Sequence, residues 1–211
     1  MKTEDLIDHI ARLPASAPFS AGRIYGYAVA AILFCTAVFL SKVGTRPDLA
    51  GAFLSPFVAA KTVIPLSLFL ITLRASILTA RPGCDPRPVL VWIALPLSLS
   101  ILLWLRAFLT LPGDQRFADV GAFSLSECVG LITLLSVLPS AALIAALREG
   151  ASLRPTQSSF LAGLAAGSGA ATGYSLFCVQ DNALFFVTWY GFAIVLVASL
   201  TAALGSRFLR W

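Results

Sequence analysis

Six long apolar runs, separated by short polar segments, organise the chain. They cover roughly 24–42, 54–79, 89–111, 122–147, 159–178 and 184–205. Each is close to the ~20 predominantly apolar residues that a helix needs to cross the hydrocarbon core of a bilayer. The segments between them read GTRPDLAGAF, RPGCDPRP, PGDQRFADV, REGASLRPTQ and CVQDN, rich in turn formers and charge. The pattern predicts an all-α, polytopic integral membrane protein with six transmembrane helices. It divides into a cytoplasmic amphipathic segment and linker over 1–22 and a six-helix domain over 23–211. No run is long enough to form a second, soluble domain.

Two features mark the runs internally. Pro65, Pro96 and Pro139 fall inside the second, third and fourth. Each removes a helical hydrogen bond and frees the carbonyl four residues earlier, which membrane helices tolerate where neighbours or water satisfy it. The fifth run, FLAGLAAGSGAATGYSLF, carries Gly163, Gly167, Gly169 and Gly173. Gly163 and Gly167 have the small-xxx-small spacing that lets two helix backbones approach closely. A phosphate-cradling loop is excluded, because the preceding strand and the basic residue it needs are both missing.

Composition strengthens the membrane reading. Of 211 residues, 58% are hydrophobic and 12% charged, against about half and a quarter in soluble domains. The net charge of +5 would ordinarily suggest nucleic acid, but the basic residues cluster at the ends of apolar runs. That placement is an orientation signal. With both termini inside, the cytoplasmic side receives Lys2, Arg12, Arg23, Arg81, Arg87, Arg148, Arg154, Arg207 and Arg210, and the opposite side only Lys42, Arg46 and Arg116. The positive-inside rule therefore predicts an N-in, C-in protein of the inner membrane. The first run is too long for a signal-peptide core and lacks a convincing cleavage site, so it is expected to be retained.

Catalytic equipment is sparse. The single histidine, His9, lies before the first run, and neither a zinc-spaced His/Glu pair nor a CxxC motif occurs. The chain is not expected to be an enzyme or to carry a cofactor. Four cysteines remain: Cys35 in the first run, Cys84 in a cytoplasmic loop, Cys128 early in the fourth run and Cys178 closing the fifth. The predicted topology brings Cys128 and Cys178 to the same oxidising face. Two readings stand for them, a functional pair and simple packing as small hydrophobes. Lys61, Arg106 and Glu127 are charges within runs, which are costly unless paired or facing water. Glu127 adjoins Cys128, and Lys61 or Arg106 could neutralise it. Cys128 and Cys178 are also candidate ligands for a thiophilic metal, to which Glu127 could add an oxygen.

In the N-terminal segment MKTEDLIDHIARL, Leu6, Ile7, Ile10 and Leu13 recur at helical spacing. Thr3 can cap that helix, and Glu4 and Asp5 suit its positive end. Surface-lying membrane helices are usually basic on their polar face. This one presents Glu4, Asp5 and Asp8, so docking into a groove of a protein partner is the better expectation.

Several of these elements together resemble the NrsF-type family of membrane anti-sigma factors (negative regulator of sigma F). They are the opening MKTEDLI, the RPDL after the first run, Lys61, the RPG after the second run, and Cys128 with Leu138–Pro139 beyond it. Cys178 with its loop CVQDN, the WYG at Trp189–Gly191 and the terminal FLRW complete the set. The resemblance spans nearly the whole chain in order. It implies a multi-pass protein of the bacterial inner membrane that sequesters an extracytoplasmic-function sigma factor and releases it on redox or heavy-metal stress. The cysteines matching Cys128 and Cys178 would be linked to sensing. The implied partners are that sigma factor and membrane lipid, with no direct contact to nucleic acid. A small transporter or channel lined by Lys61, Arg106, Glu127 and the prolines, or a thiol oxidoreductase using Cys128 and Cys178, are the competing classes.

Overall fold

The computed structural model describes Thr3, Glu4, Ile7 and residues 20–116 and 122–209. Among the described residues every regular element is helical. Six long helices follow in order: α1 Ala21–Val43, α2 Pro56–Thr79, α3 Arg87–Thr110, α4 Ala122–Leu147, α5 Pro155–Ser175 and α6 Ala183–Gly205. The apolar runs thus fold as helices within a few residues of the expected limits. Five of them are long and apolar enough to cross a membrane. The exception is α5, which at 21 residues is long enough but is diluted by glycine and serine.

Local chemistry sets the ends. The Ser20 hydroxyl accepts from the Arg23 amide at 3.4 Å, and the Asn182 side chain accepts from the Leu184 amide at 3.0 Å, so both act as N-caps. Proline opens α2 and α5, where its missing N–H costs nothing. Gly44, at φ 87°, turns the chain out of α1 in a conformation that L side chains rarely adopt. A 3-10 stretch at Val91–Ile93 tightens α3 ahead of Pro96.

The least apolar helix is the central one. Among the described residues α5 packs against α1, α2, α4 and α6, whereas α3 packs chiefly against α2 and α6. Nearly every α5 side chain from Ser158 to Ser175 is buried. A Cβ on Gly163 would lie 2.7 Å from the Ala198 Cα, and one on Gly167 would lie 3.2 Å from the Ile194 Cα. The expected pair therefore seats α5 against α6. Gly169 and Gly173 repeat the spacing on another face, where Ile32 and Thr36 of α1 occupy the space a Cβ would need.

Two apolar clusters divide the bundle. One gathers Ile24, Ala80, Leu147 and Leu209 around the α2–α3 and α4–α5 connections. There the Ala151 amide donates to the Ala80 carbonyl at 3.0 Å, and Arg23 pairs with Glu149 at 3.3 Å. The other surrounds Cys128, Cys178, Tyr174 and Tyr190 at the opposite end. Two expectations need correction or limits. α5 ends at Ser175, so Cys178 lies in the loop beyond it rather than closing the helix. Thr3, Glu4 and Ile7 are helical and exposed, but Asp5, Leu6, Asp8, Ile10 and Leu13 lie outside the described residues.

Candidate functional site

The α5–α6 loop is held by two basic side chains from different elements. Arg46 stands two residues after Gly44, in the RPDL segment. Its Nε and Nη2 donate to the Asp48 carboxylate at 2.8 and 2.9 Å, and its Nη1 and Nη2 to the Asp181 carboxylate at 2.8 and 2.9 Å. The planar guanidinium thus serves two carboxylates in fork geometry, which a lysine could not reproduce. The Arg46 amide also donates to the Leu176 carbonyl at 3.1 Å. Only 6% of Arg46 is exposed.

Lys61 reaches the same loop from the second turn of α2. Its ammonium donates to the Cys178 carbonyl at 2.6 Å, the Gln180 carbonyl at 2.7 Å and Asp181 Oδ1 at 3.3 Å. All three of its protons are therefore used. Lys61 is 1% exposed, and such a charge survives burial only with compensation of this kind. Partial burial of Asp181 works against its charge, but Arg46 and Lys61 outweigh it and hold the carboxyl below the usual carboxylate range. Arg46 likewise lowers Asp48, and the two carboxylates, Asp181 foremost, raise Arg46 further.

Behind the clasp lie the two thiols. Cys128, from the second turn of α4, and Cys178 are free, 1% and 5% exposed, and share one apolar cluster within electrostatic reach of each other. Phe39, Tyr174 and Phe177 form an aromatic cover, with centroids 5.4–6.2 Å apart, and Tyr190 meets Tyr174 edge-on at 5.7 Å. The buried Tyr190 hydroxyl lies near Cys178 without making a hydrogen bond among the described residues.

The other intramembrane charges are placed differently. Lys61 and Arg106 do not neutralise Glu127, which makes no ion pair among the described residues. Arg106 stacks 4.0 Å from the Phe57 ring and lines a cavity of about 520 Å³ with Gln115, Asp181, Asn182 and Phe186. Lys61 lines an apolar cavity of about 260 Å³ beside Pro65, Pro96 and Tyr190, and Phe186 borders both cavities. Among the described residues no three His, Cys, Asp or Glu side chains converge as a metal site. Glu127 does not complete a three-donor set with the thiols.

The family model described as "Negative regulator of sigma F" matches residues 11–211. The chain belongs to the NrsF family. The probable anti-sigma-F factor NrsF of Azospira oryzae is 32% identical over 218 residues, covering the whole of both chains. No solved structure matches. In this NrsF member, RPDL, Lys61 and CVQDN, separated by up to 135 positions, meet at one site. The pairing of Arg46 and Lys61 with Asp181 escapes a reading by runs, because Arg46 and Asp181 lie in loops. The signal in the sequence is the charge at Lys61, which within an apolar run asks for a partner or water.

Proposed function

We propose that this chain is an anti-sigma factor of the inner membrane. It holds an extracytoplasmic-function sigma factor inactive and releases it when Cys128 and Cys178 react with an oxidant or a thiophilic metal. The observation that carries this reading is the joint burial of two free thiols, fifty residues apart, beside a loop fixed by Arg46 and Lys61. Two thiols can be oxidised to a disulfide, giving two protons and two electrons to the oxidant, or can share a soft ion. Burial keeps them inert until the loop admits a reagent.

The six helices all cross the bilayer in this reading, with both termini cytoplasmic. The sigma factor is bound by the N-terminal segment, through Leu6, Ile7, Ile10 and Leu13 with Glu4, Asp5 and Asp8 around them. It is also bound by the basic rim of the α2–α3 and α4–α5 connections. There Arg81, Arg87, Arg154 and Gln157 line a cavity of about 370 Å³. Membership of the NrsF family supports the sigma partner.

A reporter of sigma-dependent transcription tests the whole reading in cells carrying the full chain. Cys128→Ser and Cys178→Ser should each keep basal repression and lose induction. Replacing Leu6 and Ile10 together by Asp should remove two apolar anchors, about 1.5–3 kcal/mol each. The reporter should then be on without stress, and the sigma factor should no longer co-purify. Serine variants that induce normally would reduce the cysteines to helix packing, and an intact repressor after the Asp changes would place the contact elsewhere.

A further inference from the structure

The clasp and the thiols meet at one atom. The carbonyl that receives the shortest bond from Lys61 belongs to Cys178 itself, at 2.6 Å. The other two Lys61 partners, Gln180 and Asp181, follow within three residues. Among the described residues these are the ammonium's hydrogen-bond acceptors, and Asp48 adds only a longer-range attraction. A reaction that re-aims the Cys178 backbone therefore disturbs the solvation of a charge that is 1% exposed, and such a charge cannot be left behind.

Lys61 is also four residues before Pro65, inside α2. The ring of Pro65 denies the Lys61 carbonyl its usual helical donor. The first turns of α2 can thus swing against the rest with fewer hydrogen bonds to break, and proline is a recognised cause of such a bend. Beyond Pro65 α2 runs to Thr79, next to Ala80, whose carbonyl holds the α4–α5 connection through the Ala151 amide. The arrangement provides a rigid element with a hinge beside the loop at one end and a tie to the opposite connections at the other.

We propose that Lys61 is a positioning residue that reads the state of the Cys178 loop: its three bonds hold the repressing arrangement, and losing them moves α2. This rests on the thiol reading above for the input, but not for the output. Lys61→Met removes the ammonium, Asp181→Asn removes its one anionic partner, and Lys61→Arg keeps charge and donors while changing their geometry.

Each variant is tested in the full chain, in cells, with the sigma-dependent reporter and with membrane abundance measured alongside. Labelling of Cys178 by a membrane-permeant maleimide, in a background where the other three cysteines are serine, gives a second readout that a packing defect elsewhere would not move. Lys61→Met and Asp181→Asn should each turn the reporter on without inducer and speed the labelling of Cys178. Lys61→Met should remain on when Cys128 and Cys178 are both serine, because the device acts after the thiols. Lys61→Arg should lie between wild type and Lys61→Met in both readouts. Any of the three variants that accumulates normally while repressing, inducing and labelling as wild type overturns the proposal. Uninducible serine variants beside wild-type behaviour of Lys61→Met would sink the clasp and spare the thiols. Normally induced serine variants beside a derepressed Lys61→Met would do the reverse.

Discussion

Asp181 is the carboxylate on which both buried cations converge, and its titration is a direct probe of the clasp. Its folded carboxyl lies below the ordinary carboxylate range because Arg46 and Lys61 outweigh the effect of burial. A depressed folded value stabilises the protein fully above about pH 4 and ceases to do so as pH falls through that lower value. Thermal unfolding in detergent should therefore be nearly level from neutral pH to about pH 5 and decline in stronger acid. Asp181→Asn should flatten that acid decline and cost about 1–3 kcal/mol at neutral pH, since its side chain keeps 32% of its surface in water. An acid limb unchanged by the substitution would remove Asp181 from the clasp. At this scale the sequence was partly legible. Lys61 announced itself as a charge in an apolar run, but a lysine's partner is a matter of tertiary geometry. Asp181 looked like one polar residue of a turn. The sequence carries Cys178 into the helix because the apolar run continues through Leu176 and Phe177, past Ser175 where the regular helix ends.

Among the elements, α5 shows how sequence and packing can be separated experimentally. Gly163 lies where a Cβ would be 2.7 Å from the backbone of α6, whereas Gly191 on α6 has no atom within 4 Å of that position. Gly163→Ala should destabilise the bundle by about 1–3 kcal/mol, the usual range for overpacking. Gly191→Ala should be neutral or gain up to about 1 kcal/mol from helix propensity. Melting of the two variants in the same detergent makes the comparison, and equal effects would mean that α6 does not approach α5 as closely as described. The helix boundaries were readable because length and apolarity coincide in α1, α2, α3, α4 and α6. The spacing of Gly163 and Gly167 pointed to a close approach. What the one-dimensional pattern could not give was the partner of each face: Gly169 and Gly173 have the same spacing and meet a different helix.

For the molecule as a whole, orientation decides what the two ends can do. The clasp and thiols occupy one end, and Arg23, Glu149, Ala80 and Ala151 tie together the other. In the topology proposed above, the excess of basic residues around the second end faces the cytoplasm. Reporter fusions after residue 84 should therefore score as cytoplasmic and fusions after residue 116 as periplasmic. The reverse pattern would put the thiols on the reducing side and remove them from the path of an external oxidant. The central position of α5 has a further consequence, for biogenesis. A helix whose surface is largely glycine, alanine and serine gains little from lipid and is a poor substrate for insertion by itself. Its shelter is supplied by α1, α2 and α4, made before it, and by α6, made after it. The nascent chain must therefore carry α5 through a stage in which one flank is open, and that flank closes only when α6 leaves the ribosome. Sheltering of α5 thus waits on α6, and chains cut short before α6 are left with an unsheltered helix for membrane quality control to recognise.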